Sequence, residues 1–573
     1  MKKTISNVNP WTFLDEYRGK VFSGEWPTLP EMFKITASRY PERPCFTVFE
    51  PERVSLNYTE AMAKIASVSR WLHSRGIGKD DKVAVTGKNI PEWTIAYLAV
   101  LFAGGTVVPI DYQLKQEELD LLLKTSRAKI LFVDEEKHEA YNKKAGGSDV
   151  SYAEVVSLKK GIGNYIYDLD GNDFTPPAIT EEDTAAILFT SGTTGNPKGV
   201  MLSHRNFVSD CYLCQGLCTM YPTDVFYALL PLHHAYTMLA VFFVTISVGA
   251  ELVFGKKMIV KAILSELKEG KVTMFLGVPM LFNKLLSGIL RGIREKGIVV
   301  YAIINFLMII SGIIKKITGI NLGKNIFGAV LKKASLNNIR ICISGGGPLA
   351  PSVFRKYNQL GLDFVQGYGL TEASPVTNFN PIEHYKETSV GKVIPGVDMK
   401  ILNSGERGIG EVVVKGSMVM QGYFEMPEET AASFTEDGYL KTGDLGYLDS
   451  ENYLYLTGRA KNLIVTEGGK NVYPEEIENE FQLFEEIEQI LIRGFVLDKK
   501  LKTESIEALI YPNREFFNRS GENSKEQITA RMEAIVSEVN KRLLSYQKIE
   551  RTTLLDEPLE MTTTKKIKRN QGT

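Results

Sequence analysis

The sequence predicts an α/β protein organised around mostly parallel sheets. Short apolar runs of strand length alternate with helical stretches at the spacing of parallel βα units. At 573 residues the chain is too long for one core, so two or more domains are expected. One apolar run, Ala185-Ala186-Ile187-Leu188-Phe189, leads directly into a loop rich in glycine and hydroxyls. In such sheets ligands bind beyond the carboxyl ends of strands, which is where this loop falls.

The elements follow in order. A helix is predicted from Leu29 to Tyr40, a strand from Cys45 to Val48, and an amphipathic helix from Tyr58 to Arg75. Lys82 to Val85 reads as a strand. Asn89-Ile90-Pro91-Glu92-Trp93 then opens an apolar helix through Phe102, which Gly104-Gly105 ends. Thr106 to Ile110 and Ile130 to Val133 are further strands. A helix is expected to start near Ser203.

The loop itself is Thr190-Ser191-Gly192-Thr193-Thr194-Gly195-Asn196-Pro197-Lys198-Gly199. Its glycines allow positive φ, so successive N–H groups can point into one concavity, and its hydroxyls and Lys198 add further donors. This is the chemistry of a polyphosphate cradle. It is not a Walker A loop, because the fifth residue after Gly192 is Pro197 rather than glycine.

Composition narrows the function classes. A formal net charge of -1 provides no global basic field, so no nucleic-acid partner is expected and an anionic ligand must be held by local groups. The first ten residues lack an apolar core of signal-peptide length, and five cysteines in so long a chain are no disulfide framework, so a reducing cytoplasm is the simplest compartment. Cys211, Cys214 and Cys218 sit at helical spacing in an apolar segment and read as core packing rather than metal ligands.

Further along, Pro231-Leu232-His233-His234-Ala235-Tyr236 precedes a very apolar run from Met238 to Val248. Residues 297–336 are unusual. Ile298 to Ile314 is almost wholly apolar, with Arg291, Arg294 and Lys296 before it and Lys315 and Lys316 after it. Seventeen helical residues reach about 26 Å, slightly short of a ~30 Å hydrocarbon core. A helix that contacts a membrane from one side or covers a tunnel comes first, a core helix second, and a true span third.

Three more motifs carry chemistry. Ser344-Gly345-Gly346-Gly347-Pro348 is a strand end entering a turn that a flat base or acyl chain could approach closely. Gln366-Gly367-Tyr368-Gly369-Leu370-Thr371-Glu372 offers a stacking ring, a hydroxyl and a hard oxygen ligand for Mg²⁺. Gly410 to Gly416 reads as a strand of a smaller sheet. Thr442-Gly443-Asp444 holds one carboxylate in a turn, where it can accept two ribose hydroxyls. The ending, Thr562-Thr563-Thr564-Lys565-Lys566-Ile567-Lys568-Arg569, reads on its own as a solvated basic tail.

Taken together, these motifs resemble, over nearly the whole chain and in the expected order, the AMP-forming acyl-CoA synthetase superfamily, the adenylate-forming ligases. The long apolar runs make long-chain fatty-acid–CoA ligases the most similar branch. The resemblance implies a large domain, 1–458, of mostly parallel sheets plus a small β-barrel-like subdomain. A hinge at 459–461 and a mobile α+β C-terminal domain, 462–573, follow. It implies that residues 190–199 bind the ATP phosphates, through Thr190, Ser191, Gly192, Thr193, Thr194, Gly195 and Lys198. Gly345, Gly346, Gly347, Gln366, Gly367, Tyr368 and Gly369 would meet the adenylate, Asp444 and Arg459 the ribose end, Thr371 the phosphate, and Glu372 the Mg²⁺. His234 would lie at the acyl carboxylate, Lys461 would be the hinge residue, and Gly468 and Gly469 would lie near the thiol of CoA. Lys566 would be the adenylation lysine. Lys565 departs from the glycine that many members have there, which puts the register of the two lysines in question.

The implied reaction activates a fatty acid with MgATP to acyl-AMP and pyrophosphate, then transfers the acyl group to CoA with release of AMP. Two rivals remain. One is a fatty acyl-AMP ligase that passes the acyl group to a carrier protein, and the other is a non-catalytic, nucleotide-binding, membrane-associated scaffold. Intact Lys566, Glu372 and Asp444 argue against the scaffold. A homodimer and a peripheral membrane contact through Ile298 to Ile314 are the interactions left open.

Overall fold

The computed structural model describes residues 9–50, 52–190, 197–256, 259–405, 408–466, 470–498, 503–561 and 567–569. Two sheets dominate. One holds seven strands, in the order Gly422–Tyr423, Lys198–Ser203, Thr184–Thr190, Thr106–Ile110, Lys82–Thr86, Ile130–Val133 and Glu154–Ser157. Its five strands from Thr184–Thr190 to Glu154–Ser157 run parallel, as the alternation of apolar runs and helices predicts.

The larger sheet has thirteen strands and changes character part-way across. From Pro44–Val48 through Glu251–Phe254, Val225–Ala228, Met274–Gly277 and Ile341–Ser344 to Asp363–Gly369 every pairing is parallel. Beyond Asp363–Gly369 the pairings are antiparallel, out to the edge strand Asp398–Leu402. The strand at this change carries Gln366, Gly367, Tyr368 and Gly369.

Local sequence explains the helix starts. Leu29–Arg39 is capped by a reciprocal Thr28/Glu31 box and Tyr58–Ser74 by Asn57/Glu60. Pro91 sits in the first turn of Pro91–Phe102, where its missing N–H costs no hydrogen bond. The expected start near Ser203 is present: Ser203 caps His204–Leu213 together with Asn206. Between the loop and that helix lies the strand Lys198–Ser203, antiparallel to Thr184–Thr190, so the predicted phosphate loop joins two strands.

All five cysteines are buried, and Cys211, Cys214 and Cys218 pack in the main apolar core. The run from Met238 to Val248 is buried too, winding as a π-helix over Met238–Phe243 before Val244–Val248. A separate apolar core, including Ile477, Phe481, Ile492, Ile506 and Val536, lies wholly after residue 463. Around it stand the strands Ile487–Asp498, Thr503–Pro512 and Arg551–Leu554 and the helix Lys525–Asn540.

The apolar segment at 298 forms a helix of 21 residues, Ile298–Thr318, four longer than the apolar run. By length and composition it could cross a membrane, yet only 17% of its most apolar window is buried. The core-helix reading is therefore corrected. A span is also at odds with this fold, because Lys315 near the helix end is buried against Asp363 at 2.7 Å.

Candidate functional site

A cleft of about 2210 Å³ lies between the two large sheets and the C-terminal part of the chain. Sites for one small molecule are typically ~300–1,000 Å³, so this one has room for more than a nucleotide. Thr190, Lys198, His234, Gly345 to Gly347, Gln366 to Gly369, Thr371, Glu372, Asp444, Arg459 and Lys461 all line it. Residues more than 250 positions apart in sequence thus meet on one surface.

At the predicted phosphate loop, Thr190 and Lys198 are paired across the hairpin, and the Thr190 hydroxyl donates to the Lys198 carbonyl at 3.4 Å. Ser191, Gly192, Thr193, Thr194 and Gly195 lie outside the described residues. The Lys198 ammonium stands 4.8 Å above the ring of Tyr423. The Tyr423 hydroxyl donates to Glu372 Oε1 at 3.0 Å. Burial, and then the Glu372 charge, push the Tyr423 phenol well above its ordinary range, so it remains a donor. Tyr423 belongs to a two-residue strand paired with Lys198–Ser203, and nothing local in the sequence marks it as part of the site.

Thr371 and Glu372 open the short 3₁₀ turn Thr371–Ala373, directly after Asp363–Gly369 and Leu370. One hydroxyl and one carboxylate beside the phosphate loop suit Mg²⁺, which takes few protein oxygens and completes its shell with water and phosphate. The residues present therefore fit the ion that the motif implies.

Another part of the cleft is formed by the glycine turn after Ile341–Ser344. A Cβ added at Gly345 would lie 2.9 Å from the ring of Tyr236, whose hydroxyl donates to the Ile343 carbonyl at 3.2 Å. Only glycine lets this turn sit flat against the tyrosine. At Gly369 the approach is closer still, since a Cβ would meet the Pro375 carbonyl oxygen at 1.6 Å.

Where the sequence reading expects ribose, the Tyr368 hydroxyl donates to Asp444 Oδ2 at 2.5 Å, and Arg459 Nε reaches Asp444 Oδ1 at 2.9 Å. The pairing of Leu440–Leu448 with Tyr453–Arg459 sets Asp444 opposite Arg459. The Asp444 N–H donates to the Thr442 hydroxyl at 3.1 Å, and that hydroxyl donates to the Val412 carbonyl at 2.8 Å. Burial and the Asp444 carboxylate hold the Tyr368 phenol well above its usual range.

His234 is not alone. Its Nε2 lies 3.1 Å from Nε2 of His233, and His233 Nε2 lies 3.6 Å from Asp111 Oδ2. These three residues bring their donor atoms within 4.8 Å of one another in the cleft. The His-His pair was visible in the sequence, but Asp111, more than 120 positions earlier, was not.

Lys461 lies in the turn Ala460–Asn462 at the cleft edge, where burial, then the charges of Arg459 and Arg569, lower the pKa of its ammonium. Gly468 and Gly469 lie outside the described residues, between the paired strands Ile464–Val465 and Asn471–Val472. Lys565 and Lys566 also lie outside them, but their flanks do not. Met561 pairs antiparallel with Ile567, and the Lys568 N–H donates to the Glu560 carbonyl at 2.9 Å. The Arg569 guanidinium reaches Glu478 at 2.6 Å and the Ile492 carbonyl at 3.1 Å. The reading of this ending as a solvated tail is therefore corrected, because both flanks of the lysine pair are tied into the structure.

The chain is similar to known proteins over most of its length. A family model described as AMP-binding enzyme matches residues 33–424. A long-chain-fatty-acid–CoA ligase of Bacillus subtilis (strain 168) is 29% identical over 536 residues, covering 86% of this chain and 87% of that protein. A feruloyl-CoA synthase of an Amycolatopsis species is 28% identical over 453 residues, covering 77% and 80%. The crystal structure of ATP-bound MatB from Rhodopseudomonas palustris superposes with a TM-score of 0.74 at 25% identity, covering 95% of this chain and 98% of that one.

Proposed function

We propose a reaction from one premise: this chain belongs to the AMP-binding enzyme family. It is an ATP-dependent acyl-CoA ligase that activates a long-chain fatty acid, first as acyl-AMP with loss of pyrophosphate, then as the CoA thioester with loss of AMP.

One observation carries the reading. A single cleft joins a cation–ring–carboxylate row at the phosphate loop, a Tyr368–Asp444–Arg459 triad at the ribose position and an imidazole pair at His233 and His234. Carboxylate and triphosphate repel each other, so adenylation needs positive charge fixed where negative charge develops. Lys198 and Lys566 supply it, with Mg²⁺, when bound at Glu372 and Thr371, neutralising the phosphates. The remaining loop residues, Ser191 to Gly195, hold the leaving pyrophosphate by backbone N–H groups and hydroxyls. Asp444 accepts from the ribose, displacing in part its own bonds to Tyr368 and Arg459. His234 orients the fatty carboxylate.

Lys566 and CoA cannot occupy the same place at once. The division into 1–458, a hinge at 459–461 and a mobile 462–573 answers this by rotation about Lys461, which brings Gly468 and Gly469 toward the thiol. The separate apolar core after residue 463 supports that division. This reading takes the cytoplasm as the enzyme's compartment.

The long-chain assignment is supported by the similarity to the Bacillus subtilis long-chain-fatty-acid–CoA ligase, and the cleft has room for a long substrate. Met280, Lys284, Ser287 and Arg291 line it along one face of the helix Pro279–Arg294, over a length of about 17 Å. Purified protein should be given MgATP and CoA with acetate, octanoate, palmitate or ferulate, and thioester and AMP should be measured. Palmitate is expected to give the highest kcat/KM. Turnover confined to ferulate or acetate would overturn the long-chain reading, and AMP release without thioester would favour a carrier-protein acceptor.

A further inference from the structure

The helix Ile298–Thr318 is apolar on both faces: Ile304, Leu307 and Met308 pack inward against an apolar core, and a second stripe faces out. A surface helix of a soluble domain turns its apolar stripe inward and its polar face to water. Here the buried positions are Met308, Ser311 and Lys315. Lys315 donates to Asn358 Oδ1 at 2.8 Å and to Asp363 Oδ1 at 2.7 Å. The outer face carries Val299, Ile303, Phe306, Ile309, Ile313 and Ile317, each between 50% and 78% exposed. Their spacing of three or four residues makes one stripe, about 27 Å long. Monomeric soluble proteins rarely leave so long an apolar stripe uncovered.

The charge around it is one-sided. From Lys296 to Leu362 the sequence holds nine Lys and Arg residues and no Asp or Glu, in a chain whose net charge is -1; Lys315, Arg340 and Arg355 are paired with Asp363, Asp224 and Glu387, and the other six are Lys296, Lys316, Lys324, Lys332, Lys333 and Lys356. Lys296 precedes the stripe, Lys316 lies beside its last residue, and Lys324, Lys332 and Lys333 follow it, all exposed. Apolar side chains in the middle and exposed ammonium groups around them match a surface whose interior is hydrocarbon and whose rim is anionic.

We propose that this face docks on one leaflet of an anionic bilayer, with the helix lying in the interface plane. Phe306, Ile309 and Ile313 enter the acyl region, and the lysines engage lipid phosphates. The contact also places the bilayer beside the substrate cleft. The cleft lining on Pro279–Arg294 ends at Arg291, one turn before Arg294, whose guanidinium lies 4.8 Å over the ring of Tyr301 on the docking helix. A fatty acid leaving the leaflet there would enter the cleft without crossing bulk water. That last step rests on the long-chain reading, whereas the docking does not.

The test uses full-length protein and 100-nm vesicles of phosphatidylcholine alone or with about one-quarter phosphatidylglycerol. Co-sedimentation is expected with the anionic vesicles, at least tenfold weaker with the neutral ones, and weaker in high salt. Phe306→Asp with Ile313→Asp should lower anionic-vesicle binding at least tenfold, as should Lys316→Glu with Lys332→Glu. These side chains are exposed, so melting temperatures should stay within a few degrees of the parent. Binding by a protein that does not turn over palmitate would uphold the docking face while removing the long-chain substrate. Absence of binding to anionic vesicles, or equal binding by the aspartate variant, would overturn the proposal. So would a dimer in solution that the aspartate variant splits, with no vesicle binding, because a second copy would then be what covers the stripe.

Discussion

The Tyr368 hydroxyl and the Asp444 carboxylate are joined by a 2.5 Å hydrogen bond across the antiparallel part of the large sheet. The tyrosine stands where the sheet changes direction, and the aspartate stands opposite Arg459. In the proposed reaction Asp444 accepts from the ribose hydroxyls, and Asp444→Ala removes that acceptor. Hydrogen bonds to a charged group are worth about 1.5–3 kcal/mol, so kcat/KM for ATP should fall about 10- to 150-fold. Tyr368→Phe should cost less, because Arg459 still holds the carboxylate. Steady-state kinetics at saturating acyl substrate check both, and an unchanged ATP KM in Asp444→Ala would remove Asp444 from the nucleotide site.

Glu372 and its partner Tyr423 should separate by their Mg²⁺ dependence. Glu372→Gln is expected to reduce pyrophosphate release about a hundredfold, with a melting temperature near the parent's. Tyr423→Phe leaves the carboxylate but removes the hydroxyl that orients it, so the Mg²⁺ concentration for half-maximal rate should rise several-fold and saturating Mg²⁺ should restore most of the rate. Loss of activity that follows loss of folding in Glu372→Gln would make that residue structural.

The two half-reactions should divide between Lys566 and Lys461. Fixed charge at developing charge is typically worth ~3–4 kcal/mol, so Lys566→Ala should lose most acyl-AMP formation from ATP. It should still convert supplied acyl-AMP and CoA to acyl-CoA. Lys461→Pro should do the reverse, since proline fixes φ at the position that must rotate. Lys565→Ala should be nearly silent. A dead Lys565→Ala beside an active Lys566→Ala would shift the lysine register by one.

His204 gives the fold a pH dependence. It is buried, and its Nδ1 accepts the Leu29 N–H at 3.2 Å, so burial lowers its pKa to about 4. In the unfolded chain the value is about 6.5. Above that pH both states are neutral and the stability is intact. Below it the unfolded chain takes up a proton that the folded one refuses, so stability is lost progressively down to about pH 4, by about 3 kcal/mol in all. Denaturant titrations from pH 7 to pH 4 should give a shallower decline in His204→Asn than in the parent. Parallel curves would mean that His204 is protonated in the folded protein.

Much of this was legible locally. Strands such as Thr106–Ile110 and Ile130–Val133 appear as apolar runs, and the caps at Thr28, Asn57 and Ser203 mark helix starts within a residue or two. The motif residues of the cleft also sit in short, recognisable words. What the sequence hid is pairing at a distance. Tyr423 reaches Glu372 only because a two-residue strand joins the edge of the seven-stranded sheet. Asp111 meets His233 only because two separate sheets face one cleft. The helix Ile298–Thr318 showed its composition but not its orientation, which depends on Asp363 and Asn358 drawing Lys315 inward.

The bridge between Met561 and Ile567 has a kinetic consequence. Lys566 stands one residue from that bridge and three from Arg569, whose guanidinium is held by Glu478. Three residues of chain extend ~10 Å at most, so the lysine is carried by the body to which Arg569 is fastened. In the proposed mechanism, delivering it to the α-phosphate requires turning that whole body through solvent. Hydrodynamic drag then enters the turnover time, and a viscogen such as sucrose or glycerol should slow the complete cycle while leaving thioester formation from supplied acyl-AMP much less affected.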